Sequence, residues 1–146
     1  MRHSTSAGAV LIGPNDKVAV VSQHGTSWSL AKGTLEKGED KLIALKRELN
    51  EEVGITEFQI IKELGTYERY LIGKNGGEDE SERKTITFFL CTTKQEELKP
   101  QDPENPEARW VEPRKVADLL THPKDKEFFR KALPEVEGFI AKRSHE

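Results

Sequence analysis

A chain of 146 residues is the length of one domain, taken here as residues 1–146, and leaves room for a proper core. Charged and apolar residues each make up 34%, and the net charge of −3 argues against nonspecific nucleic-acid binding, which favours a basic balance. The single cysteine excludes an intrachain disulfide and points to a reducing, cytoplasmic setting, while the lack of a signal-peptide pattern or of about 20 consecutive apolar residues excludes a membrane span.

Residues 4–12, S-T-S-A-G-A-V-L-I, read as a short strand. The turn signal Gly13-Pro14-Asn15-Asp16 follows, and residues 18–21 give a second strand, so the two are expected to form a hairpin. A loop from His24 to Ser27 leads to Trp28 and Leu30, with Trp28 either a core residue or part of a pocket wall.

The stretch from Gly33 to Ile55 is the most informative of the chain. Asp40 is a natural helix N-cap, and Gly54 is a natural stop, because glycine enters the left-handed region without steric cost. Between them Leu42, Leu45, Leu49 and Val53 recur at spacings of three and four as an apolar stripe. Glu48, Glu51 and Glu52 fall in one sector beside it. Such like charges repel by roughly 0.2–0.5 kcal/mol per pair, and two of them sit in the last turn, where the helix dipole disfavours anions. A bound divalent cation with hard oxygen ligands would reverse that penalty; a solvated glutamate face is the plainer alternative.

Residues 58–64 and 67–72 read as two further strands, and Gly73 to Gly77 with the acidic run 78–82 as an exposed loop. Residues 84–93, K-T-I-T-F-F-L-C-T-T, are the best strand of the chain and are expected to be central, with Cys91 as a packing residue. A polar loop, 94–106, leads to a short strand, 108–111, that carries Trp110. Pro113 opens a helix with Val116, Leu119 and Leu120 on its apolar face, residues 121–123 break it, and a last helix runs from about 124 to 133, anchored by Phe128 and Phe129, before a charged tail that frays. No repeat appears. The element order predicts an α+β protein with a mixed sheet and helices on both faces. The histidines, His3, His24, His122 and His145, show no metal-ligand spacing; His24 lies near the Gly33–Ile55 stretch as a weak candidate for substrate contact.

Gly33, Glu39, Arg47, Glu48, Leu49, Glu51, Glu52, Gly54 and Ile55 fit the pattern G-x5-E-x7-R-E-U-x-E-E-x-G-U, where U is a bulky aliphatic residue. This is the Nudix box, and the chain resembles Nudix hydrolases at every specified position, with a looser likeness over residues 4–133. The resemblance implies an α/β/α sandwich in which the box forms a loop-helix-loop. It also implies magnesium-dependent hydrolysis of a phosphoanhydride bond, with manganese as an alternative metal. Glu48 and Glu52 would be metal ligands, joined by the backbone carbonyl of Lys32 beside Gly33, and Glu51 would be a further ligand or the base. Arg47 would orient a box glutamate, Glu39 would support that network, and Gly33 would let the backbone turn close to the metal. Glu104 and Glu107 are the loop candidates for the base, each otherwise a solvated charge.

Substrate choice lies outside the box. Lys32 before Gly33, and Glu104 ahead of Arg109-Trp110, are similar to the dinucleoside tetraphosphate hydrolases, although Ala31 stands where those proteins carry proline. Lys32 either meets phosphate or is a solvated loop charge. Tyr67, Tyr70 and Phe89 are candidate platforms for a nucleobase or are core. Arg83 and Lys84 either grip phosphates or form a solvated strand end. The expected partner is thus a nucleotide polyphosphate, with diadenosine tetraphosphate first, and with no stable nucleic-acid complex, no membrane, and a monomer or homodimer as the assembly. Hydrolysis of oxidised or noncanonical nucleoside triphosphates, removal of 5′ pyrophosphate from RNA, and nucleotide binding without catalysis are the rival readings.

Overall fold

Among the described residues, six strands form one mixed sheet in the order β4-β5-β1-β3-β2-β6. The computed structural model describes residues 2–23, 25–73, 77–101 and 107–144. Its elements run β1 (Arg2–Ile12), β2 (Val18–Gln23), β3 (Ser27–Thr34), α1 (Lys41–Val53), β4 (Gln59–Ile72), β5 (Glu78–Thr92), β6 (Ala108–Val111), α2 (Pro113–Leu119) and α3 (Pro123–Arg143). The long β1–β5 pairing is parallel and the others are antiparallel. This is the expected α+β architecture with helices on both faces.

Alternation along the strands sorts the core into two layers. On one face Ala7, Ala9, Leu11, Ala31, Phe89 and Cys91 pack against Leu45, Leu49 and Val53 of α1. On the other, Val10, Ile12, Leu30, Ile86, Phe88 and Leu90 meet Val116, Phe129 and Val136 of α2 and α3. Each such large side chain contributes roughly 1.5–3 kcal/mol by leaving water. The small residues Ala31 and Gly33 allow α1 to lie close on β3.

The helix in the box forms as expected. Asp40 accepts the Ile43 N–H at 2.8 Å, and Gly54 ends it at φ 71°. The apolar stripe needs one correction. Leu42 is 51% exposed, as is its neighbour Ile43 at 53%, and Ala44 takes the buried position instead. In the first turn the stripe has not yet reached the sheet.

Several strand expectations also change. β1 and β2 are joined only at Ile12 and Val18 rather than as a full hairpin, because β3 and β5 take the flanks of β1. Residues 27–34 form one strand that takes in Ser27 from the expected loop, and Lys32 is buried within it rather than a solvated loop charge. Residues 58–64 and 67–72 are one strand, whose irregularities fall at Ile60/Lys62, Glu63/Gly65 and Tyr70/Leu71. A β-bulge absorbs an extra residue without ending the pairing. The acidic stretch 78–82 belongs to β5: Leu71 and Ile72 pair with Asp79 and Glu78, and buried Glu82 accepts the Ser4 hydroxyl at 2.7 Å.

The last helix continues well beyond residue 133, through Pro134 and Gly138, to Arg143. Buried Phe129, Ala132 and Val136, with half-buried Phe139 and Ile140, keep one side on the sheet across the proline. The helix end is also anchored rather than frayed, since the Arg143 guanidinium bonds the Asp16 carboxylate, the Gly13 carbonyl and the Thr92 hydroxyl. No described helix is long and apolar enough to cross a membrane.

Candidate active site

Arg47 is the hub of the site. Its guanidinium donates from Nε and Nη2 to the two carboxylate oxygens of Glu39, at 2.7 and 2.8 Å. Nη1 reaches Glu48 at 2.5 Å and Glu51 at 3.3 Å, and Nη2 also reaches the Thr34 carbonyl at 2.9 Å. A planar, permanently charged fork can serve several carboxylates at once. The arginine bonds hold the Glu39 carboxyl down at about 2, helped by a backbone N–H from Glu36. Glu48 goes the other way: burial lifts its carboxyl above the usual range, against the pull of Arg47.

Glu52 is buried, and its carboxylate accepts the Lys32 backbone N–H at 2.7 Å. The helix is thereby bonded to the strand that precedes it. Gly33 sits under Glu48. A Cβ added there would lie 1.9 Å from the Glu48 carboxyl carbon and 2.0 Å from an oxygen. The glycine is thus required for room, rather than for a backbone turn as its place in the box implied; its φ is not positive.

The opposite face of β3 carries the complement. Lys32, Arg69 and Lys84 are 5%, 4% and 7% exposed and lie close enough to perturb one another. Burial, then Arg69 and Lys84, bring the Lys32 ammonium down to about 7, while Glu52 and Asp125 oppose the change. Lys84 donates to the Thr34 hydroxyl at 3.0 Å and pairs with Glu82 at 3.4 Å. Arg69 pairs with Asp125 at 2.9 Å, and the Tyr67 hydroxyl donates to the same carboxylate at 2.5 Å. His122 caps α3 through Nδ1, which accepts the Lys124 N–H at 3.1 Å. Burial leads the causes that lower the His122 pKa.

The structure therefore gathers Glu39, Arg47, Glu48 and Glu51 in one bonded set and brings Glu52, Lys32 and Gly33 alongside. Lys32 and Lys84 are not solvated charges. Tyr67 is not an open platform, since its ring stacks on Phe128 and Phe88 with centroids 5.0 and 6.0 Å away. Phe89 is core. Tyr70 is half-buried and pairs in register with Arg83, which is half-exposed and 3.9 Å from Glu68. Trp28 packs half-buried on the second core layer, with the Arg109 guanidinium 4.5 Å above its ring. Glu107, the other loop candidate, is exposed and pairs with Arg109 at 2.6 Å. Glu104, His24 and His145 lie outside the described residues.

Arg69 and Asp125 were not singled out in the sequence, nor was His122 given a role, although signals existed. Arg69 lies two residues from Tyr67 and so shares its strand face. His122-Pro123 followed by Asp125 is a helix start.

The donor set of the box consists of carboxylate and carbonyl oxygens, which suits a hard divalent cation. Among the described residues no three carboxylate, imidazole or thiolate groups form a ready-made cage.

Comparison with known proteins identifies the family. Residues 2–132 match the NUDIX domain. An RNA pyrophosphohydrolase of Pelagibacter ubique is 31% identical over 124 residues, covering 77% of this chain and 78% of that protein. Another, from Novosphingobium aromaticivorans, is 30% identical over 146 residues, covering 92% and 88%. Among solved structures, a MutT protein from Methanosarcina mazei superposes with a TM-score of 0.75 at 19% identity, over 92% of this chain and 95% of that one. A C. elegans Ap4A hydrolase superposes with a TM-score of 0.74 at 20% identity, over 92% and 98%. With its box intact and its fold shared, the chain belongs to the Nudix family and is a hydrolase of pyrophosphate bonds.

Proposed function

We propose that this protein is a magnesium-dependent hydrolase of nucleotide polyphosphates, with a dinucleoside polyphosphate such as diadenosine tetraphosphate as its first substrate class, cut to ATP and AMP. The supporting observation is the row of three buried cations, Lys32, Arg69 and Lys84, on β3, β4 and β5, across the sheet from the box helix and within electrostatic reach of Glu48 and Glu52. Asp125 and Glu82 already answer Arg69 and Lys84, so Lys32, brought down to about 7 by burial and its cationic neighbours, is the member of the row placed to gain most from a phosphate.

Glu48, Glu52 and Glu51, with the Lys32 carbonyl, would hold magnesium or manganese, which neutralises phosphate charge and lowers the pKa of bound water. Arg47, steadied by Glu39, fixes the directions of Glu48 and Glu51. Lys32 and Lys84 receive phosphate oxygens, and Tyr70 and Arg83 are the outer contacts. A second reading, removal of pyrophosphate from a 5′-triphosphate RNA, is favoured by the two relatives with about 30% identity that carry that name. The two substrates share a polyphosphate, capped by a nucleoside at both ends in the dinucleotide and bearing the RNA chain at one end and a free phosphate at the other in the RNA. Nucleotide binding without cleavage is disfavoured, because every box glutamate is present.

The test is turnover in oxygen-18 water with magnesium, offering diadenosine tetraphosphate, a 5′-triphosphate RNA, oxidised dGTP and ADP-ribose. Preferred cleavage of the dinucleotide supports the first reading, and preference for the RNA replaces it with the second. Glu52→Gln, which keeps shape and removes charge, is expected to abolish turnover. Activity near wild type in that variant would remove Glu52 from the metal site.

A further inference from the structure

The last turn of α1 places Glu51 and Glu52 where helix carbonyls already concentrate partial negative charge. Local bonds close only part of that end: the N–H groups of Gly54 and Ile55 reach the Asn50 and Leu49 carbonyls at 3.0 and 3.1 Å. The Glu51 and Val53 carbonyls are met from elsewhere. Gln101 donates its backbone N–H to Glu51 at 2.7 Å, and Lys99 donates to Val53 at 2.8 Å.

The segment that brings these donors is pinned along its length. The Gln95 side-chain oxygen accepts the backbone N–H groups of Thr56 and Glu57 at 3.0 and 2.9 Å. The Trp110 indole N–H donates to the Glu96 carbonyl at 2.8 Å, and Leu98 packs against the first core layer. The fit on the helix end is tight, since a Cβ on Gly54 would lie 2.4 Å from the Lys99 carbonyl oxygen.

We propose that residues 95–101 form a positioning strap for the catalytic helix, acting through the backbone N–H groups of Lys99 and Gln101. The strap fixes the setting of the last turn and supplies positive dipole ends to the Glu51 and Val53 carbonyls that flank Glu52. The inference rests on the reading of those two glutamates as metal-holding groups. Lys99 and Gln101 are positioning residues: each touches the helix backbone, and neither is assigned contact with substrate or metal.

The test is a pair of substitutions in the full chain. Gln101→Pro removes the donated N–H, whereas Gln101→Ala keeps it and loses only the side-chain bond to the Lys99 carbonyl at 3.0 Å. In Gln101→Pro, the magnesium concentration for half-maximal turnover is expected to rise by about tenfold, in the range of lost supporting contacts at metal sites. The KM for nucleotide should move less than about twofold, and Gln101→Ala should restore the wild-type magnesium curve. A wild-type magnesium curve in Gln101→Pro would overturn the proposal. Amide hydrogen exchange on the unmodified protein gives an arm that needs neither a variant nor turnover. Lys99 and Gln101 amides as protected as those in the middle of α1 support the strap, and exchange at open-loop rates refutes it. If the wild-type protein hydrolysed no polyphosphate with magnesium, the functional reading would fail on its own, and exchange would still report whether the strap is docked.

Discussion

Gly33→Ala is the sharpest test of the site. The added Cβ falls 1.9 Å from the Glu48 carboxyl carbon, and ordinary contact begins at 3.4 Å. The carboxylate must therefore retreat by about 1.5 Å, and displacements of about 1 Å are known to cost on the order of 100-fold in rate. The retreat also breaks the 2.5 Å bond from Arg47, a charge-assisted contact of roughly 1.5–3 kcal/mol, and overpacking adds about 1–3 kcal/mol of destabilisation. kcat/KM at saturating magnesium and urea unfolding should be measured together. The expectation is a loss in kcat/KM of at least about 100-fold in protein that still folds. Gly138→Ala is the control, since its Cβ meets nothing within 4 Å, and as a helix position it should gain up to about 1 kcal/mol with activity unchanged. A Gly33→Ala enzyme with wild-type kcat/KM and magnesium dependence would refute the placement of Glu48 in the machinery.

Arg47→Lys keeps the charge and removes the fork that serves Glu39, Glu48 and Glu51; turnover should fall by about 10–100-fold, with less effect on the melting temperature. Cys91 is buried and its thiol is pushed up to about 12, so the native protein should resist a thiol reagent at pH 8 and react only after unfolding. The unfolded thiol ionises near 9 and the folded one near 12, so this group's contribution to stability should be intact below pH 9 and lost as pH rises towards 12; Cys91→Ser should flatten that part of a melting-temperature profile. Pro134→Ala should stabilise the fold by on the order of 1–3 kcal/mol in urea unfolding, because it removes an interior helix proline.

The box was legible because local and long-range demands agree there. Asp40 caps, Gly54 stops, and Leu45, Leu49 and Val53 face the sheet as their spacing requires. The resemblance also implied that Arg47 orients a box glutamate, although not that one guanidinium would serve three of them. β3 was hidden because S-L-A-K-G is small and polar. Its strand character comes from β1 and β2 on either side and from the helix that demands small residues at Ala31 and Gly33. The acidic start of β5 was hidden for a related reason, since Glu78 and Asp79 are strand only because Ile72 and Leu71 lie across from them. Pro134 read as a barrier, yet packing on both sides of it carries the helix through. The buried cations were the least legible part. Lysine and arginine are ordinarily surface residues, and only the sheet register brings Arg69 beside Lys84.

The arrangement of β3 limits how this enzyme can vary. Lys32 and Gly33 are adjacent, and alternation sends one towards the buried cations and leaves the other beneath Glu48. Inserting or deleting one residue between Ser27 and Ala31 would exchange the two faces, placing an ammonium stem under the box helix and a bare backbone beside Arg69 and Lys84. Lineages and designers can therefore retune this strand by substitution, one side chain at a time, whereas length changes must fall outside it, in the turns that flank the sheet.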